Sequence, residues 1–280
     1  MFNLFFKVYP RKRGTNIFDL EWDNLIILDA CRYDFFKEEV EKRKLPGKLG
    51  YIYSVGTCTL EFMLKTFSGP KEKYKDVVYI SANPYASAYL KDKVEVLPAW
   101  DYAWDEYFGT ALPDAVYEYV LDVLEKYRNK KVIVHFLQPH VPYLTQALNY
   151  DKIDANALLG VKKEKIEKID EQYRRHFFKL VSSPVYYYND VETQIKGYKE
   201  NLSIVMDYVE KLLLHLPGRT VITADHGDAS GEKIFSFLPF RVYGHPWSIR
   251  IDALAKVPWM VVDEEDKEKL RKRKLSSSDF

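Results

Sequence analysis

The side chains of this sequence best suited to chemistry are an Asp-His pair, two histidines on turns, and a cluster of hydroxyl and thiol groups. Asp225 and His226 follow the β-branched run at 220–223, the composition of a buried strand, and Gly227 comes next. A carboxylate and an imidazole at a strand's carboxyl end can aim two ligands at one cation, and the glycine permits a tight turn. His245 sits between Gly244 and Pro246 on a second turn. His140 ends the apolar run at 131–137, with Pro139 and Pro142 around it fixing its backbone against helix. His135, inside that run, reads as a satisfied core histidine. Asp29 closes another apolar run and repeats the geometry inferred for Asp225, although a strand-terminal Asp equally suits the N-cap of a following helix. Thr57, Cys58 and Thr59 precede an amphipathic stretch that Gly69-Pro70 stops. A hydroxyl at a helix N-terminus is favourably placed to attack phosphorus, because the dipole and free N–H groups stabilise an anion there. On spacing alone, however, a plain threonine N-cap is the better reading.

These groups must be positioned by a sheet. Apolar, β-branched segments at 24–30, 50–54, 77–81, 94–97, 131–137 and 220–223 read as strands. Amphipathic segments after Pro113 and at 193–216 read as helices. Alternation of this kind is an α/β pattern, in which ligands sit beyond the carboxyl ends of the strands. The expectation is one domain over 1–280, with a charged helical insertion at about 145–190 over the mouth of the site, a setting that commonly carries selectivity. Arg174, Arg175 and His176 lie in it and read by default as a solvated helix face. The aromatic segment 98–109 reads as a loop wedging rings into the core. A charged tail at about 263–280 reads as a surface helix fraying outward. Arg32 and Asp34 either brace the turn after Asp29 or pair with each other.

Composition narrows the function classes. Lys and Arg number 42 against 41 Asp and Glu, a net charge of +1, so no global field draws the chain to nucleic acid. Two cysteines make a disulfide framework the poorer reading and fit a reducing compartment. No run approaches the roughly 18 apolar residues of a membrane span. The apolar-then-basic start is in the wrong order for a secretory signal. The expected location is cytoplasmic, with weak docking at a membrane surface as the minor alternative.

Four motifs, in order, resemble the alkaline phosphatase superfamily in its sulfatase-like branch. LIILDACRYD resembles the family's opening strand with its metal-binding aspartate. TLEFMLKTFSG (59–69) resembles the nucleophile helix. VHFLQPHVPY resembles the His-Phe-x-x-Pro-His-x-Pro-Tyr loop. TADHGDASGE with YGHP resembles the Asp-His-Gly-Glu motif and the later glycine-histidine. The resemblance implies a three-layer α/β/α fold with a largely parallel central sheet. It implies that Asp29, Thr59, Asp225 and His226 hold one divalent cation, with Thr59 also the nucleophile. His140 and His245 would contact the substrate's non-bridging oxygens or hold a second ion. Gln138 stands where two-ion members place a carboxylate, which favours one ion. The ligand set suits Mn²⁺ or Zn²⁺ over Ca²⁺. The Cys/Ser-x-Pro-x-Arg signature of sulfatases is missing, since Leu60, Glu61, Phe62 and Met63 follow Thr59. The expected function is therefore metal-dependent hydrolysis of a phosphate mono- or diester, its substrate a small molecule or linked to a glycan or lipid. The alternatives are transfer of a phospho-substituent to a glycan or lipid, and binding of an anionic ligand without catalysis.

Overall fold

The computed structural model describes residues 13–145, 190–234 and 241–277. In chain order the strands are β1 (Asn24–Leu28), β2 (Lys48–Tyr53), β3 (Val77–Ser81), β4 (Glu95–Leu97), β5 (Trp104–Asp105), β6 (Thr110–Ala111), β7 (Lys131–Phe136), β8 (Thr220–Ala224), β9 (Ala229–Lys233), β10 (Arg241–Gly244) and β11 (Lys256–Val262). The helices are α1 (Tyr33–Arg43), α2 (Thr59–Thr66), α3 (Tyr85–Tyr89), α4 (Ala99–Ala103), α5 (Pro113–Leu124), α6 (Val191–Leu212), α7 (Asp252–Ala255) and α8 (Glu264–Ser277).

Seven strands form the central sheet in the order β2-β11-β8-β1-β7-β3-β4. Strands β8, β1, β7, β3 and β4 run parallel, while β11 is antiparallel to both of its neighbours. Side chains alternate across a strand, and β1 shows the consequence. Ile26 and Leu28 pack with Val134, Val205, Met206 and Leu212 on one face. Leu25 and Ile27 pack with Phe62, Met63, Tyr79 and Val221 on the other. All four β1 side chains are fully buried, so helices cover both faces and the protein has three layers.

Strand β11 is a structural feature that pattern reading did not single out. Pro258 lies inside it, opposite Tyr51 of β2, and proline in a run argues against a strand with neighbours on both sides. The described part of the charged run, 263–277, is packed rather than trailing. Leu270 and Lys267 of α8 are fully buried, and Lys267 Nζ donates to the carbonyls of Leu216 (2.6 Å) and Gly218. The aromatic segment at 98–109 divides: Trp100 is buried in helix α4, whereas Tyr102 and Tyr107 face solvent. The insertion at about 145–190, with Arg174, Arg175 and His176, lies outside the described residues save for its two end positions.

Candidate metal centre

Strands β8, β1 and β7 lie side by side in register, Leu28 pairing with both Ala224 and Phe136. Their ends bring Asp29, Asp225, His226 and His135 to one buried point. Thr59, the first residue of α2, enters from above. Its Oγ1 lies 3.1 Å from His226 Nε2 and 3.4 Å from each Asp29 oxygen. His226 Nε2 is 3.5 Å from Asp29 Oδ1 and 3.3 Å from Asp225 Oδ2. The four side chains that the family resemblance assigned to one cation thus meet around a single space.

Neighbouring groups fix each member. Asp225 Oδ1 accepts from the backbone N–H groups of Ala30 (3.0 Å) and His226 (2.9 Å). Asn83, just after β3, donates to Asp29 Oδ2 at 2.7 Å. His226 Nδ1 faces the Gly227 carbonyl at 2.7 Å, so that nitrogen carries the proton and the Nε2 lone pair points at Thr59 and the carboxylates. Gly227 is needed for close approach: a Cβ there would lie 2.1 Å from the Ala253 carbonyl oxygen. At the other wall, a Cβ on Gly56 would lie 2.3 Å from Phe62 N, so only glycine lets the chain fold back over the α2 N-terminus.

Burial dominates the electrostatics of the site. Burial, and then the charge of Asp225, push the Asp29 carboxyl well above its ordinary range. Burial and the neighbouring His245 lower the His226 imidazole to about 3. Among the described residues Asp225 Oδ2 and His135 Nε2 are buried without a hydrogen-bond partner, a costly arrangement for two polar atoms so close together. Two carboxylates, imidazole nitrogens and a hydroxyl aimed at one point are a donor set for a divalent cation.

His140 and His245 form the outer part of the site. The His245 ring centroid lies 4.7 Å from that of His226 and 5.0 Å from that of His140. His245 Nδ1 is 3.3 Å from Asp228 Oδ1. His140 Nδ1 is 2.6 Å from its neighbour's carbonyl, Val141 O, so Nδ1 holds the proton and Nε2 is a bare lone pair. Burial and His245 lower this imidazole to about 4, so at neutral pH Nε2 can accept a proton or bind a cation. Of the two roles expected of His140, contact with a substrate's non-bridging oxygens would need a proton on Nε2, which this tautomer lacks.

Two residues of α6 that hold the site, Tyr198 and Asn201, escaped the sequence reading, whereas Arg32 and Asp34 do both things expected of them. Tyr198 of α6 donates to Ala30 O at 2.7 Å and accepts from Arg32 N at 2.8 Å. Asn201, one turn on, donates to the His140 and Pro142 carbonyls, so one helix steadies both loops. Arg32 grips Asp34 in a two-pronged bond and also donates to Asp228 O and Glu232, tying the β1–α1 turn to the β8–β9 loop. Glu61 turns back from Thr59's helix to accept from Thr57 N and Oγ1, Lys65 Nζ and Ser248 Oγ. Burial opposes its ionisation, but the bonds from Lys65 and Thr57 prevail and hold it below the ordinary carboxylate range. His135 and Asp228 were equally assigned no task, although both lie within the motifs that carry the resemblance.

The sheet order, with the site at the carboxyl ends of its parallel strands, gives the chain an alkaline-phosphatase-like α/β fold. No family model matches the sequence, and no curated protein matches it. Among solved structures, the chain is similar to the integral membrane lipooligosaccharide phosphoethanolamine transferase A of Neisseria meningitidis, with 14% identity and a TM-score of 0.50 over 85% of this chain and 47% of that one. It is similar also to that enzyme's separately solved soluble domain, with 13% identity and a TM-score of 0.50 over 89% of this chain and 79% of that one. The chain thus spans about half the length of the full membrane enzyme. No described helix is long and apolar enough to cross a membrane.

Proposed function

We propose that this protein is a metal-dependent enzyme that moves a phospho-substituent from a phosphate ester to an acceptor hydroxyl on a glycan or lipid, through Thr59. The observation that carries the reading is the convergence of Thr59 Oγ1, His226 Nε2 and the two aspartates on one buried space. Transfer ranks above the hydrolysis expected from the sequence because both solved structures at a TM-score of 0.50 are of a phosphoethanolamine transferase.

Asp29, Thr59, Asp225 and His226 would hold the cation, Mn²⁺ or Zn²⁺ by donor type. Bound there, such an ion makes a hydroxyl more acidic and draws charge from a phosphoryl oxygen. Thr59 Oγ1 attacks phosphorus, the bond from phosphorus to the leaving oxygen breaks, and the leaving alcohol departs with a proton. The α2 N-terminus favours the anionic phosphorylated threonine that results. An acceptor hydroxyl then attacks phosphorus, the bond from phosphorus to Thr59 Oγ1 breaks, and the acceptor's proton passes by way of His140 Nε2 to the released Thr59 oxygen. His245, braced by Asp228, contacts the phosphoryl oxygens or shares a second cation with His140. Both cysteines described are free, which fits a cytoplasmic location.

The test uses nitrophenyl phosphodiesters with Mn²⁺ or Zn²⁺, with and without a sugar or glycerol acceptor. Mass spectrometry should find a phospho-adduct on Thr59, and acceptor should speed nitrophenol release. Undiminished turnover in Thr59→Ala, or turnover without an adduct, overturns the threonine route. Rates indifferent to acceptor would return the reading to hydrolysis.

A further inference from the structure

His135 is fully buried between β1 and β3, and no step above uses it. We propose that His135 is a further protein ligand, through Nε2, of the cation that Asp29, Thr59, Asp225 and His226 would hold; this rests on the metal-dependent reading above.

Geometry supports the assignment first. His135 Nε2 lies 3.8 Å from Asp29 Oδ2 and 3.9 Å from Asp225 Oδ2. These separations are too long for hydrogen bonds. With metal–donor bonds of about 2.1 Å, however, two ligands of one cation sit up to about 4.2 Å apart. One atom from each of Asp29, His135 and Asp225 lies within 4.8 Å of the others.

The surroundings of the ring agree. His135 Nδ1 is 2.8 Å from the Tyr79 hydroxyl, so that side of the imidazole is engaged and the ring plane is set. This is the arrangement His226 shows with Gly227 O: one nitrogen anchored, the other aimed at the carboxylates. A core histidine kept for packing alone would have both nitrogens satisfied, or would be replaced without loss by an apolar side chain. Instead Nε2 is orphaned beside the orphaned Asp225 Oδ2. The Tyr79 hydroxyl oxygen can accept from Nδ1–H, the tautomer that leaves Nε2 as a lone pair facing the carboxylates. One cation between the two atoms satisfies both.

A second imidazole changes what the centre selects. Two nitrogens, two carboxylates and one hydroxyl make five donors, which leaves room for a substrate oxygen in a six-coordinate ion. Nitrogen-rich sets favour Mn²⁺ or Zn²⁺ over Mg²⁺ and Ca²⁺.

The experiment is pulsed electron paramagnetic resonance on the full chain loaded with one equivalent of Mn²⁺, together with calorimetric Mn²⁺ titration in the absence of substrate. Wild type should show two imidazole nitrogen couplings. His135→Gln should show one and bind Mn²⁺ at least about 10-fold more weakly, while Tyr79→Phe should keep both couplings. Two couplings and unchanged affinity in His135→Gln overturn the proposal. If that variant does not fold, His226→Gln decides: one remaining coupling supports His135, and none overturns it. Wild type that binds Mn²⁺ through a single nitrogen overturns this inference alone. Wild type that binds no divalent cation overturns the metal-dependent function as well.

Discussion

Beside α1, Arg43 donates to Glu39 (2.6 Å), Asp207 (2.7 Å), Glu210 (3.1 Å) and the Ser203 carbonyl (2.6 Å). Arg273 of α8 reaches Glu210 (3.1 Å) and the carbonyls of Arg43 (2.8 Å) and Lys44 (2.9 Å). Cations and anions alternate there. At the carboxyl ends of β1, β7 and β8 the plan is reversed, with acids and neutral imidazoles facing one another, and among the described residues Asp225 Oδ2 and His135 Nε2 have no hydrogen-bond partner. Both regions sequester charge, but among the described residues only the first pairs its acids with cationic side chains. On the proposed metal-dependent reading the second would take an external cation, and that contrast can be attacked from either side.

The largest effect should come from Thr59→Ala, which removes one hydroxyl from the open region. Turnover of a phosphodiester should fall by about 10³-fold or more, with the unfolding midpoint nearly unchanged. Next, Glu210→Gln breaks the closed region by leaving Arg43 and Arg273 short of an anion. Urea denaturation should show a loss of about 2 kcal/mol, with phosphodiester kinetics intact. Asp29→Asn reverses the sign. Burial and Asp225 hold the Asp29 carboxyl above its ordinary value of 3.8, so its contribution to folding is full below that pH and is lost as pH rises through the higher folded value. Without metal the variant should be about 1 kcal/mol more stable than wild type at neutral pH, and the gap should shrink as pH falls toward 4. A variant less stable than wild type under those conditions would show that the open region needs no external charge.

Legibility in the sequence follows the same division. The continuous apolar runs of β1, β3, β7 and β8 are visible because parallel strands buried on both faces have no polar positions to blur them. Asp225, His226, His140 and His245 stand out in the sequence because strand ends and proline or glycine turns mark them, whereas the roles of Asp29 and Thr59 rest on the family resemblance. His135 was not legible, since a histidine inside an apolar run looks the same whether its second nitrogen meets a carbonyl or a cation. The neighbouring strands bring Asp29 and Asp225 within 4 Å of it, and that setting supports the second. Asn83, Tyr198 and Asn201 act across 54, 168 and 61 residues of chain, separations at which one sequence carries no pairing signal. Strand β11 was hidden by Pro258, whose carbonyl accepts from the Thr223 hydroxyl at 2.7 Å.

The smallest predicted effects use one left-handed residue from each region. Lys44 ends α1 at a φ of 52°, and Ala30 follows Asp29 at a φ of 60°. A side chain in this conformation costs about 1 kcal/mol, which glycine avoids. Lys44 is exposed, so Lys44→Gly has little packing to lose and should gain about 0.5–1 kcal/mol as a helix cap. The Ala30 methyl is fully buried, and losing it offsets about 0.8 kcal/mol of the same relief. Ala30→Gly should therefore leave stability within about 0.5 kcal/mol of wild type. Its effect should appear in Mn²⁺ affinity, because the Ala30 N–H positions Asp225 Oδ1 and its carbonyl is held by Tyr198. Parallel urea melts and Mn²⁺ titrations on the two variants measure both quantities. A gain in Ala30→Gly as large as in Lys44→Gly, with metal affinity untouched, would show that the backbone of the open region is no more constrained by function than a surface helix end.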